Sequence, residues 1–120
     1  MNVTILRFYM PLAAKMKHPK SFWQKLFGGS LGHYLVRRAK EEGIKQAIVQ
    51  RSEAGYLKDE KLVFDQVEAV PPRLPLCVEL VDEEVKLRAF ISKNKAELTD
   101  CRAVLFQGAE VLVVEKQEVK

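Results

Sequence analysis

Residues 76–81, Leu-Cys-Val-Glu-Leu-Val, constrain this chain more than any other feature. The run is apolar at every position but Glu79, too short for a buried helix, and bounded by turn signals, so it reads as a strand. A strand apolar on both alternations needs cover on both faces. The cluster Pro71-Pro72-Arg73-Leu74-Pro75 precedes it, and proline removes ladder donors, so pairing resumes only after that cluster. Asp82 follows as a candidate helix cap, with Glu83 and Glu84 at the positive end of the helix dipole. Leu87, Phe90 and Ile91 then carry core-facing helical spacing, and the helix ends near residues 94–95.

The rest of the chain fits around that unit. Residues 3–10, VTILRFYM, are β-branched and aromatic, stop at Pro11, and read as the first strand. Residues 11–29 form a basic connection. Within it Ser21-Phe22-Trp23-Gln24 matches a capping box, which predicts a helical turn over 21–27. Ser30 is a plausible N-cap; Leu31, Tyr34, Leu35 and Ala39 make one apolar stripe, and Gly43 sits where a left-handed cap is wanted. The first main helix is therefore expected over 30–42. Residues 46–50 (QAIVQ) read as a strand, 51–60 as a polar loop, and 61–70 as a strand-like run that the proline cluster breaks. Two short strands, 101–106 and 110–115, are expected around Gln107-Gly108-Ala109. The order is that of an α+β, ferredoxin-like βαββαβ chain, an antiparallel sheet with two helices on one face. The second face of that sheet most simply finds its cover in another subunit.

A chain of 120 residues suits a single domain, 1–120, on a prior of roughly 100–200 residues per domain. It is 48% hydrophobic and 30% charged, too apolar for intrinsic disorder. No run of about 18 apolar residues occurs, and residues 1–7 lack the regions of a signal peptide. With two cysteines the expected compartment is a reducing cytoplasm. Residues 1–40 hold eight basic and no acidic side chains, although the whole chain is only +4. Such asymmetry marks contact with phosphate or an acidic surface, or simply a solvated face. No reader motif accompanies it, so specific nucleic-acid binding is not expected.

Several strings resemble the PII-like family catalogued as domain of unknown function 190. They are Leu6-Arg7-Phe8-Tyr9 in the first strand, the step Gly29-Ser30-Leu31, and the helix from Tyr34 to Ile44. The strand and loop Gln46-Ala47-Ile48-Val49-Gln50-Arg51-Ser52-Glu53-Ala54-Gly55-Tyr56 follow, with Leu57 where the family pattern ends in glycine. Leu74 to Asp82, LPLCVELVD, is the closest match, and the 11–29 connection is longer than usual for the family. The resemblance implies a PII-like fold, a homotrimer and a signal-transduction role. It implies adenine nucleotides or other small anions bound between subunits, and a loop after the second strand that engages a partner such as a membrane transporter or channel. The Gly-Asp-Gly-Lys-like phosphate loop of nucleotide-binding PII proteins is absent.

Candidate ligand-binding residues are Arg51, Gly55, Tyr56 and Lys58 at the loop, with Lys93, Lys95 and Arg102 approaching from a neighbour. A glycine admits close backbone approach, an aromatic ring stacks, and cations pair with phosphate. The bland reading is a polar loop and a helix end where cations are favourable anyway. Lys15, Lys17, Lys20, Trp23 and Lys25 form a basic, aromatic stretch suited to an acidic protein or membrane surface, which is the alternative, scaffolding role for the chain. Gly28-Gly29-Ser30-Leu31-Gly32 lacks the ending of a P-loop and reads as a hinge. Cys77 and Cys101 have no metal-ligand spacing, His18 and His33 no partner, and Glu83-Glu84 is better read as a helix start than as an acid/base pair. No metal, cofactor or catalytic set is expected, and so no enzyme.

Overall fold

The computed structural model describes residues 2–17, 29–66 and 68–114. The expected turn at 21–27, with Lys20, Trp23 and Lys25, lies outside the described residues. Four long strands form one sheet: β1 (Asn2–Pro11), β2 (Gln46–Arg51), β5 (Pro75–Asp82) and β6 (Arg102–Glu110). Two short strands, β3 (Ala54–Gly55) and β4 (Val63–Phe64), pair with each other inside the β2–β5 connection. The sheet order is β2-β5-β1-β6, antiparallel at each junction. Helices α1 (Leu31–Glu41) and α2 (Glu84–Lys93) pack on one face. This is the ferredoxin-like α+β architecture.

β1 is central because it alternates cleanly. Leu6, Phe8 and Met10 face the helices and are buried, while Ile5, Arg7 and Tyr9 face the other side half-buried. β5 alternates in the same way, with Leu76, Val78 and Leu80 inward and Cys77, Glu79 and Val81 outward. Pro11 and Pro75 stand opposite each other at the end of the β1–β5 register. Neither proline has an N–H to give a neighbouring strand, and the β1–β5 register ends at this pair.

α1 buries Leu31, Gly32, Leu35 and Ala39. It comes close at Gly32, where a Cβ would lie 2.7 Å from Leu76 Cδ2 and 3.3 Å from Val49 Cγ2. Its C-terminus is a Schellman motif: Ile44 N–H donates to Ala39 O at 2.9 Å and Gly43 N–H to Lys40 O at 3.2 Å. Gly43 has φ +76°, as its place in that motif requires. α2 contributes Leu87 and Phe90, and the Phe90 ring lies 6.2 Å from that of Phe8. Asn94 ties the helices together, accepting from Tyr34 Oη at 3.0 Å and donating to Glu42 at 3.0 Å.

Three expectations need correcting. Among the described residues of 61–70 only Val63 and Phe64 pair, and they pair with β3 rather than with the main sheet. The two strands expected at 101–106 and 110–115 are one strand, β6, ending at Glu110. A bulge, with Gly108 at φ +75°, lets it pass through the expected turn. Asp82 does not cap α2; Glu83 holds that position without a side-chain bond. Asp82 is instead the fully buried end of β5, accepting from Lys45 N at 2.9 Å and Glu83 N at 2.6 Å. It fastens the α1–β2 turn to the sheet. Asp82→Ala strands both donors and is expected to cost roughly 1–3 kcal/mol, read as a lower denaturant midpoint with unchanged slope. An unchanged midpoint would show that the buried side chain is dispensable.

Candidate functional site

The paired prolines leave the end of the sheet open, and the chain builds a cleft there. The connection after β1 runs beside the segment before β5, with Leu12 N–H donating to Leu74 O at 2.8 Å and Ala13 N–H to Pro72 O at 3.0 Å. Its two ends are pinned to each other by Met16 N–H to Gly29 O at 2.9 Å and Leu31 N–H to Ala14 O at 3.0 Å. These bonds hold Lys15 and Lys17 on the wall of a cleft of about 490 Å³. Tyr9 and Met10 at the end of β1, Leu57 and Lys58 from the β2–β5 connection, and Cys101 and Arg102 at the start of β6 complete it.

Five cations line this cleft, Lys15, Lys17, Lys58, Arg73 and Arg102, against two acids, Glu60 and Asp100. Arg73 is paired with Glu60. Lys17 Nζ reaches Asp100 at 2.5 Å and also Thr99, while its backbone N–H donates to Glu97. Lys15, Lys58 and Arg102 have no carboxylate partner among the described residues. Three uncompensated cations around one concave surface raise the local concentration of anions.

A second cleft of about 410 Å³ adjoins the first and shares Tyr9 with it. Gln50, Arg51, Ser52, Pro75 and Cys77 line it. Arg51 is held by Asp65 at 2.5 Å, and Ser52 Oγ donates to Pro75 O at 2.8 Å, which fixes the root of the β2–β5 connection.

The structure thus gathers Lys15, Lys17, Lys58 and Arg102 into one cleft and sets Arg51 in its neighbour. Gly55 lies in β3, and the adjacent Tyr56 side chain is exposed and lines neither cleft. Lys93 and Lys95 stand at the end of α2, also outside both. Sequence reasoning missed Tyr9 and Arg73. The signal for Tyr9 was its place at the end of β1, just before Pro11, on the alternation opposite to Phe8 and Met10. Among the described residues no group of three His, Cys, Asp or Glu side chains would hold a metal ion.

Both cysteines are free and half-buried. Burial pushes the Cys101 thiol up to about 11, against a smaller opposing pull from Lys17, and burial raises Cys77 as well. The folded state therefore keeps the Cys101 proton where the unfolded chain, near its ordinary 9.0, has lost it. The resulting stability is complete below about pH 9 and is lost as pH rises through about 11. Alkylation of the native protein at pH 8 should be much slower than in denaturant, and should accelerate toward pH 11. Equal rates at pH 8 would refute the burial of this thiol.

Comparisons with known proteins bear on the family and the fold. Two proteins of Aquifex aeolicus (strain VF5), each called UPF0166 protein, are similar in sequence. One is 38% identical over 64 residues, 53% of this chain and 61% of its own length. The other is 25% identical over 101 residues, 84% of this chain and 88% of its own. Among solved structures, CPII of Thiomonas intermedia K12, bound to ADP and bicarbonate, superposes with a TM-score of 0.53 at 8% identity, covering 88% of this chain and 83% of that one. A putative PII-like signaling protein of Thermus thermophilus gives 0.51 at 10% identity, covering 88% and 84%. The divalent ion tolerance protein CutA1 of Ehrlichia chaffeensis gives 0.56 at 9% identity, covering 92% and 85%. At such identities these three show a shared fold. The family model described as DUF190, Uncharacterized ACR, COG1993, matches residues 22–111, three quarters of the sequence, and this chain belongs to that family, with a PII-like fold.

Proposed function

We propose that this chain is a PII-like regulatory protein that binds a small anionic effector, an adenine nucleotide in the first instance, beside Lys15, Lys58 and Arg102. One observation carries the reading: three cations from three separate segments converge on one cleft without carboxylate partners among the described residues. A solvated face needs no such convergence, and a phosphate group is what would compensate it. Tyr9 at the cleft edge offers a ring for a base. That CPII, with the same fold, was solved with ADP and bicarbonate adds support.

The assembly in this reading is a homotrimer of 1–120 units in the cytoplasm. The sheet face away from the helices carries Ile5, Ile48, Val81, Val104 and Phe106 around the Arg7–Glu79 ion pair. Ile48 and Phe106 remain 37% and 40% exposed in the single chain. Burying that face against other copies brings the clefts to subunit borders. The β2–β5 connection, rooted at Arg51 and Ser52, then reports occupancy to a partner such as a transporter or channel. Lys15 and Lys17 line the effector cleft, which favours this role over a separate docking face for the basic segment.

A thermal-shift series with ATP, ADP, AMP, cyclic dinucleotides, bicarbonate and fluoride tests the reading. A ligand that binds only the folded state adds about 2.7 kcal/mol at ~100 times its Kd. One of these ligands should raise Tm dose-dependently, and Lys58→Ala with Arg102→Ala should abolish the rise while leaving the ligand-free Tm in place. No rise with any of them would sink the effector reading.

A further inference from the structure

The cation-lined cleft carries two carboxylates of its own. Glu60 is paired with Arg73, and Asp100 with Lys17 at 2.5 Å. An acid on the wall of such a cleft works against anion binding. The two acids differ in how firmly they are held. The Asp100 side chain is 85% exposed and that of Glu60 30%. A carboxylate that is already largely in water needs little rehydration when its partner leaves, and an exposed pair is weak to begin with. Of the two pairs, Lys17–Asp100 is therefore the one that a ligand can open.

Lys17 can change partner without moving the chain. Its backbone is anchored, with its own N–H donating to Glu97 at 2.5 Å and Met16 N–H donating to Gly29 O at 2.9 Å. The tip of its side chain is held by Asp100 and Thr99, in contacts open to solvent. A lysine carries three donors on a flexible stem, so its ammonium can turn from Asp100 to a ligand oxygen by side-chain rotation alone. Asp100 stands two residues before Arg102, and both line the cleft with Lys15 and Lys58. The ammonium and the unpaired cations thus border the same space.

We infer that Asp100 sets how much anionic charge the cleft accepts, by holding Lys17 in reserve. A ligand with one phosphate is compensated by Lys15, Lys58 and Arg102 and leaves the Lys17–Asp100 pair closed. A longer phosphate chain brings charge beyond what those three match. It draws the Lys17 ammonium off Asp100 and returns the carboxylate to water. Asp100 disfavours the longer chain and not the shorter one, so it narrows the preference for polyphosphates that the cations alone would give. Asp100 is a specificity-determining residue in this sense. Its role rests on the effector reading and adds which ligands the cleft tells apart.

The test is calorimetric titration of the full chain with AMP, ADP and ATP, at fixed ionic strength and without divalent cations. Wild type, Asp100→Asn, Lys17→Met and the double variant are compared. Asp100 is exposed and Lys17→Met keeps the backbone N–H that Glu97 accepts, so circular dichroism and Tm should match wild type. Asp100→Asn should tighten ATP by up to about fivefold, the range of an exposed pair, and leave AMP within about twofold. In the Lys17→Met background the same change should leave ATP within about twofold, because the partner it releases is gone. A gain of equal size for all three nucleotides, or one that persists without Lys17, would be a diffuse field effect and overturns the reserve. An ATP affinity that Asp100→Asn leaves unchanged overturns it as well, with the effector reading still standing. If none of the three binds wild type or Asp100→Asn, both readings fall.

Discussion

The structure hangs on β1. Among the described residues it is the one strand flanked on both sides by strands from the second half of the sequence, β5 on one side and β6 on the other. Its inward residues Leu6, Phe8 and Met10 are buried to within 1% and meet side chains of both helices across the layer. Each such side chain contributes about 1.5–3 kcal/mol on leaving water. Those contacts are non-local, so the sheet forms only when the two halves of the chain have come together. The facing prolines at the end of the β1–β5 register are the other half of the constraint, because neither can donate a backbone N–H to a further strand. The cleft is lined by the residues around that end of the sheet.

The two faces of the sheet are built on different chemistry. The helix side is apolar and closed, with Phe8 against Phe90 and the Asn94 bonds bridging the helices above it. The other side holds an ion pair among aliphatic residues. Arg7 Nε bonds Glu79 at 2.8 Å and its guanidinium lies 4.9 Å from the Phe106 ring. Glu79 holds the Arg7 pKa above its ordinary value. In one copy this pair is partly solvated and contributes little. Covered by other copies it would be desolvated, with its position fixing how the faces register. Of the residues around it, Ile48 and Phe106 are left exposed in the single chain.

Legibility varied with how local the cause was. The α1 helix could be read closely because Ser30, the Leu31–Leu35–Ala39 stripe and Gly43 act within one stretch of chain. Both β1 and β5 could be read from composition and their prolines. Residues 111–114 were misread as a strand since their composition is that of a strand; whether such a run pairs depends on a neighbour, and the β1–β6 register ends at Glu110. Asp82 looked like a cap because it precedes a helix, yet the donors it satisfies are set by the turn that α1 and β2 place beside it. At the candidate site Lys58 and Arg102 were legible as cations near loops. That Lys15 joins them, while Tyr56, Lys93 and Lys95 do not, depends on backbone bonds between segments far apart in sequence.

The amino-acid sequence by itself determined the elements, their order, the antiparallel βαββαβ plan and the excess of positive charge in the first forty residues. These follow from side-chain period, capping and turn chemistry, which act over a few residues. Only the tertiary structure decided which of the many cations lose their carboxylate partners, where the sheet stops, and which apolar run is left over. Those outcomes depend on which groups a folded chain brings within a few ångströms of each other, and pairing at that range is set by the sheet register rather than by any stretch of sequence.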